Sequence, residues 1–277
     1  MNRALNLKLG LQIPIFNHFN EIKNKTPLIP YVIRPLVYES SFNEIILLDE
    51  FTPTRGFVQG YGSVPKGDIK IDYALHLGNS PNVNDNSGIT GAFDDQTSQT
   101  GLDTTATFLI GTRLGLRYQN VKFGVSATHD YTNLFQTGAE LLGHDPATFK
   151  EVRRIRLGTD LSGHIGDYHF ESEYIRVRYD DDIPDFLIRL EFYYVTLDYQ
   201  WTDEFSSYAS YWIEEEELTT LGKGKIEVPN AGLRYDLTDG IALKAGYARG
   251  RQRETAPSGE VHKSDLNFYT AAISAVL

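Results

Sequence analysis

From Leu5 to Ile15 every odd position is apolar, while the even positions read Asn6, Lys8, Gly10, Gln12 and Pro14. Successive side chains of an extended strand point to opposite faces, so a period of two predicts a strand with one apolar face. A helix would scatter the same residues around its axis. The pattern recurs in DIKIDYALHLG, with Ile69, Ile71, Tyr73, Leu75 and Leu77 in phase. ATFLIGTRLGLRY sets Phe108, Ile110, Leu114 and Leu116 against Arg113 and Arg117, and RRIRLGTDLSGHI sets Ile155, Leu157 and Leu161 against Arg154, Arg156 and Asp160. The phase slips near Tyr174–Ile175 and Tyr193–Tyr194, which marks bulges or strands leaving their layer.

The connections alternate. PKGD (65–68), QN (119–120), IGD (165–167), TDE (202–204) and LTDG (237–240) carry the Gly, Asn and Asp chemistry of tight hairpins. Long polar loops are expected between them: 78–101, the stretch after Tyr131, DDDIPDF, the segment after EEEEL, and GRQRETAPSGEVHKS. This rhythm predicts about twelve antiparallel up-and-down strands in a single domain spanning residues 1–277, with both chain ends on the short-turn side.

A soluble β protein would turn the apolar face inward. Strands of about ten residues are long for such a protein, where five or six is usual. Aromatic residues also gather at two levels. Tyr118, Tyr168, Tyr199, Trp201, Phe205 and Tyr235 lie beside the short turns, and Tyr131, Tyr179, Tyr211, Trp212 and Tyr247 lie toward the long loops. Two aromatic belts bracketing an apolar band are what the two interfaces of a bilayer select. The predicted fold is therefore all-β, a transmembrane antiparallel β-barrel, closed because hydrocarbon tolerates no unpaired backbone donor.

Composition narrows the function. No stretch approaches the length of a membrane helix, and the absence of cysteine excludes disulfides and thiolate chemistry. A formal charge of −11 argues against nucleic acid as a partner. The seven histidines form no metal-ligand spacing, and nucleophile-elbow, phosphate-loop and dinucleotide motifs are missing. NVNDNSG and YDDDIPD lack the bidentate glutamate of a calcium loop. No catalytic residue, metal or cofactor is expected.

The segment LQIPIFNHFNEIKNKTPLIPYVIRPLVYESSFNEIILLDEF resembles the outer-membrane porins of Gram-negative bacteria, of the carbohydrate and phosphate type. There a strand ends in Pro plus an aromatic residue, Asn-Glu and Arg-Pro follow, and the chain folds inward to narrow the pore. The resemblance implies that 17–55 is such a constriction, with Asn20, Glu21, Arg34, Asp49 and Glu50 on it. It also implies a sixteen-stranded barrel whose first strands precede this sequence, with a complete twelve-stranded barrel as the alternative, a bacterial outer-membrane location, a homotrimer, and contact with membrane lipid and lipopolysaccharide. The last strand keeps the family's phase through Tyr269, Ala271, Ile273 and Ala275, with Leu277 where an aromatic residue is the rule.

With the faces assigned by polarity, Lys8, Arg113, Arg117, Lys122, Arg154, Arg156, Arg176, Arg178, Arg189, Arg234 and Lys244 line the lumen. Asp72, Asp160, Glu171, Glu173, Glu191 and Asp198 share it, which leaves a basic-leaning wall. The expected function is a passive diffusion channel for small hydrophilic solutes or ions, preferring anions unless the arginines are neutralised by lumen acids. A receptor or adhesin acting through long loops is the alternative, and a barrel enzyme a more remote one.

Overall fold

The tight turns fall where the Gly and Asn signals place them, and they organise the whole sheet. A computed structural model describes residues 4–12, 15–18, 29–33, 35–38, 55–79, 107–132, 145–149, 151–180, 188–218 and 222–275. Twelve strands form one antiparallel sheet in sequence order. They are β1 (Asn6–Gln12), β2 (Arg55–Lys66), β3 (Ile69–Asn79), β4 (Phe108–Tyr118), β5 (Val121–Thr132) and β6 (Val152–Ile165). The second half comprises β7 (Tyr168–Asp180), β8 (Ile188–Gln200), β9 (Phe205–Leu218), β10 (Gly222–Thr238), β11 (Ile241–Thr255) and β12 (Val261–Ala275). Gly67 and Gly166 take the left-handed φ that two-residue hairpins require. Among the described residues the ladder runs from β1 to β12 with no pairing between those two strands.

Burial settles which face is which. In β4 the side chains alternate strictly, with Leu109, Gly111, Arg113 and Gly115 buried and Phe108, Ile110, Leu114 and Leu116 exposed. The same holds for β5 and β6, where Ser126, Thr128, Asp130, Arg154, Arg156 and Asp160 are buried while Phe123, Val125, Leu157 and Leu161 face out. The wall is thus inverted relative to a soluble barrel, with its leucines outside and its ions inside. The fold is a transmembrane β-barrel, and its apolar outer band places it in a membrane. Leu114 lies in mid-band and is 48% exposed. Leu114→Arg should therefore cost about 2–4 kcal/mol of folding into lipid vesicles, read by urea titration, whereas Tyr118→Arg at the band's edge should cost about 1 kcal/mol or less.

The aromatic belts are present with two corrections. Tyr168, Tyr199 and Trp201 form a contiguous outward group at the short-turn end, with ring centroids 4.7 and 4.6 Å apart. Tyr174 and Tyr193 pair at the other end, as do Tyr247 and Tyr269. Tyr179 and Trp212, expected in that upper belt, are instead buried on the inward face.

Two expected loops are strands. From Gly222 on, the segment after EEEEL is strand β10, paired with β9, and most of GRQRETAPSGEVHKS is the end of β11 and the start of β12. At 17 residues, β10 runs about 55 Å along its axis. Tilted by about 40°, it exceeds an apolar band of about 25 Å by roughly 15 Å. The β9–β12 hairpins therefore project beyond the bilayer, where both faces meet water and polar residues suit either side.

Candidate functional site

The interior is the part of the molecule where ionic chemistry is concentrated. Of the expected lumen cations, Arg113, Arg117, Lys122, Arg154, Arg156, Arg234 and Lys244 stand on the inward face. Lys8 shares that face, opposite Gln59 and 4.8 Å from the centre of the Tyr61 ring. Arg176, Arg178 and Arg189 do not. In β7 the buried positions are Glu171, Glu173, Ile175, Val177 and Tyr179, so Arg176 and Arg178 point outward, and Arg189 pairs with Arg178 on the same outer face. Charge alone places these three in the lumen, but they lie above the apolar band, where the outer face is wet. Glu191 follows them outward. Asn20, Glu21, Arg34, Asp49 and Glu50 lie outside the described residues.

The β4–β6 wall carries a buried ionic ladder. Arg113 donates to both oxygens of Asp160 at 2.5 and 2.7 Å. Arg154 grips Asp130 in the same bidentate way at 3.0 and 2.6 Å, and Arg156 adds a 3.2 Å bond to the same carboxylate. Gly124 gives the first pair its seat, because a side chain there would strike both Asp160 and Arg113. Elsewhere Arg117 meets Asp72, and Arg234 lies 2.9 Å from Asp236. Lys244 donates to the Ile29 carbonyl at 2.6 Å, and the Lys122 ammonium stands 3.5 Å from His18 Nδ1. Asp130, the hub of the ladder, is absent from the sequence reading, although it continues the phase of Lys122, Ser126 and Thr128. Glu214, Glu216 and Asp236 are further inward acids that the sequence reading left in loops or omitted. With three arginines outside and these acids inside, the described wall is not basic-leaning.

After β1 the chain turns into the barrel. Phe16 and Asn17 are fully buried, and Asn17 takes a left-handed φ of 52° at the bend. Its N–H donates to Ser126 Oγ at 3.0 Å, and its side-chain amide reaches Glu173 at 3.5 Å. Tyr38, in a short 3₁₀ turn (Leu36–Tyr38), donates to the same Glu173 oxygen at 2.7 Å. Ile29 is held by Lys244 of β11, and the Tyr31 ring meets Tyr208 edge-on at 5.5 Å. Residues 15–18 and 29–38 thus touch β5 and β7 on one side and β9 and β11 on the other. Phe16, Ile29, Tyr31, Val37 and Tyr38 join Ile175, Val177, Phe192, Tyr194 and Trp212 in one buried apolar cluster. This explains the phase slip: where the segment packs, the inward face of β7 and β8 is apolar.

Burial, reinforced by Lys122, lowers the His18 pKa to about 4, so this imidazole is neutral in the folded barrel at physiological pH. The seat of Asn17 is Gly158, where a side chain would collide with its amide. Gly158→Val should expel residue 17 from the wall while the strands stay paired. The expected readout is faster proteolytic cleavage within residues 15–38 of the folded barrel, with unchanged β signal in circular dichroism.

Three buried carboxylates on β7–β9, Glu171, Asp198 and Glu214, each keep one oxygen without a hydrogen-bond partner. On the opposite wall Gln59 and His76, adjacent across β2–β3, are equally buried, and their side-chain polar atoms are unpartnered. Unsatisfied buried groups of this kind are rare in a packed core, and all of these stand on the inward face.

The fold and this interior define a class, the transmembrane barrels of the bacterial outer membrane with a polar lumen. No family model matches the chain, and no curated protein does. Among solved structures it is similar to the anion-selective porin from Comamonas acidovorans, at 11% identity and a TM-score of 0.50. That match covers 78% of this chain and 59% of the porin. It is also similar to OmpT, an outer membrane protein of Vibrio cholerae, at 11% identity and a TM-score of 0.47 over 79% of this chain and 89% of that one. The toluene transporter TodX of Pseudomonas putida matches at 11% identity with a TM-score of 0.32, over 79% of this chain and 81% of TodX. The first of these likenesses supports the fold, and the outer-membrane location follows from the fold and its lipid-facing surface.

Proposed function

We propose that the protein is a passive outer-membrane channel for small hydrophilic solutes, narrowed from within by the segment that follows β1. The observation that carries this reading is that residues 15–18, 29–33 and 35–38 lie within an ion-lined interior and are tied to both walls, at Glu173 and at Lys244. Such a segment reduces the cross-section while leaving polar groups, including Gln59, His76 and Glu171, turned inward. The arginines that would have favoured anions are held by inward acids, Arg113 by Asp160, Arg154 and Arg156 by Asp130, Arg117 by Asp72 and Arg234 by Asp236, so the channel is only weakly selective for charge. It works without a catalytic group, and the porin resemblance implies a homotrimer, which cross-linking in vesicles reads.

A second reading rests on the apolar cluster. If that cluster fills the lumen beside β7–β11, the barrel is plugged and acts as a receptor or adhesin through its projecting hairpins. Swelling of proteoliposomes in neutral sugars of increasing mass separates the two. The channel reading expects swelling that falls with solute size; folded barrels that give none favour the receptor.

A further inference from the structure

The inward acids of β7 and β8 are not equally satisfied. Glu173 accepts bonds from Tyr38 at 2.7 Å and from Asn17 at 3.5 Å. Glu171 and Asp198, nearer the short-turn end, are bonded by neither. Glu171 is 3% exposed and Asp198 9%, and each keeps one oxygen without a partner; the other oxygen of Asp198 bonds to Ser206. An ionised carboxylate so buried is costly unless it is paired. Among the described residues the inward faces of β7, β8 and β9 hold no Lys or Arg to pair with them. The inward cations nearest to them are engaged elsewhere. Lys122, two strands from Glu171 at the same level, stands against His18, and Arg234 bonds to Asp236.

We propose that Glu171 and Asp198 form a binding site for a short linear diamine that enters from the short-turn end of the lumen. Two free carboxylate oxygens call for two positive charges, and an ammonium group on each makes a charge-assisted hydrogen bond. Spacing selects a dication that carries its charges apart. Thr196 is the ladder partner of Glu171, so Asp198 is its diagonal neighbour, at about 7–8 Å between Cα atoms and less between side chains. An alkyl chain of about four carbons spans a separation of this order. The side chains around the pair are short. Ser162 and Thr196 flank Glu171, and their hydroxyls offer an ammonium further acceptors. Tyr208, the ladder partner of Asp198, leans the other way, over Gly232 and Gly246, where added side chains would strike it. The site is near the strand ends, since β8 stops at Gln200 and β7 begins at Tyr168. The proposal names a solute class for the channel reading, and rests on that reading only in needing this end of the lumen to be open to water.

The test is calorimetric titration of the folded protein in detergent with 1,4-diaminobutane, with butylamine and with calcium. The diamine should bind at least about tenfold more tightly than butylamine, and Glu171→Gln and Asp198→Asn should each weaken it at least about tenfold, the loss of one charge-assisted bond. Glu191→Gln, which alters an outward acid, should leave binding within about twofold. Heat-modifiable migration on gels shows that the variants are folded. Diamine binding that neither inward variant weakens overturns the proposal, as does butylamine binding as tightly as the diamine. Calcium binding as tightly would mark an inorganic cation site and overturn the diamine assignment. Potassium chloride conductance of the same preparation separates this proposal from the channel reading: a conducting barrel that binds no diamine overturns the site alone, and a barrel that binds diamine without conducting overturns the channel alone.

Discussion

Asp160→Ala should destabilise the folded barrel by about 3–5 kcal/mol, because it leaves the Arg113 guanidinium buried and unpaired. The pair is 4% and 0% exposed at its two side chains, so water screens it little. Most of that loss is the desolvation of the orphaned charge, and the double variant Arg113→Met, Asp160→Leu should recover most of it. The comparison that calibrates this is Asp72→Ala. Its partner Arg117 is 46% exposed, and loss of an exposed pair costs about 1 kcal/mol or less. Urea unfolding in lipid vesicles measures all three. Equal costs at Asp160 and Asp72 would mean that the β4–β6 ladder is hydrated and lines open water.

Replacing residues 16–52 by a short Gly-Ser linker should increase the conductance at least about twofold, by removing residues 16–18, 29–33 and 35–38 from the interior. The excision is feasible because Gln12 and Arg55 already face each other across β1 and β2. It also removes Phe16, Ile29, Tyr31, Val37 and Tyr38 from the apolar cluster, so the variant should unfold at lower urea. A variant that conducts no better than the native chain, while its strands remain folded, would show that this segment does not set the cross-section.

Much of the fold was legible because one periodicity and one kind of turn carry it. Leu114, Leu116 and Phe123 declare an outer face, and Gly67 and Gly166 declare turns, from the sequence alone. Reading failed where the rule that charged residues line the lumen stopped holding. Within the bilayer Arg113 has only the interior to enter, since its alternative is hydrocarbon. Above the bilayer Arg176 and Arg189 meet water outside, while Ile175, Val177 and Phe192 turn inward to pack on residues 29–38. Nothing local in RVRYD distinguishes those situations; the length of the strand relative to the membrane does. The same cause turned two expected loops into strands, because a hairpin wet on both faces has no apolar phase to reveal it. Asp130 was legible in its phase but overlooked, because its role depends on two arginines over twenty residues away.

The most direct test of the channel account is single-channel recording of the refolded native chain in a planar bilayer under a salt gradient. Stable open steps with a reversal potential near zero are expected, since the inward arginines are balanced by the inward Asp72, Asp130, Asp160 and Asp236 together with the inward glutamates of β7 and β9. Folded, inserted protein that shows no steps would contradict the account and leave a plugged barrel whose hairpins do the binding.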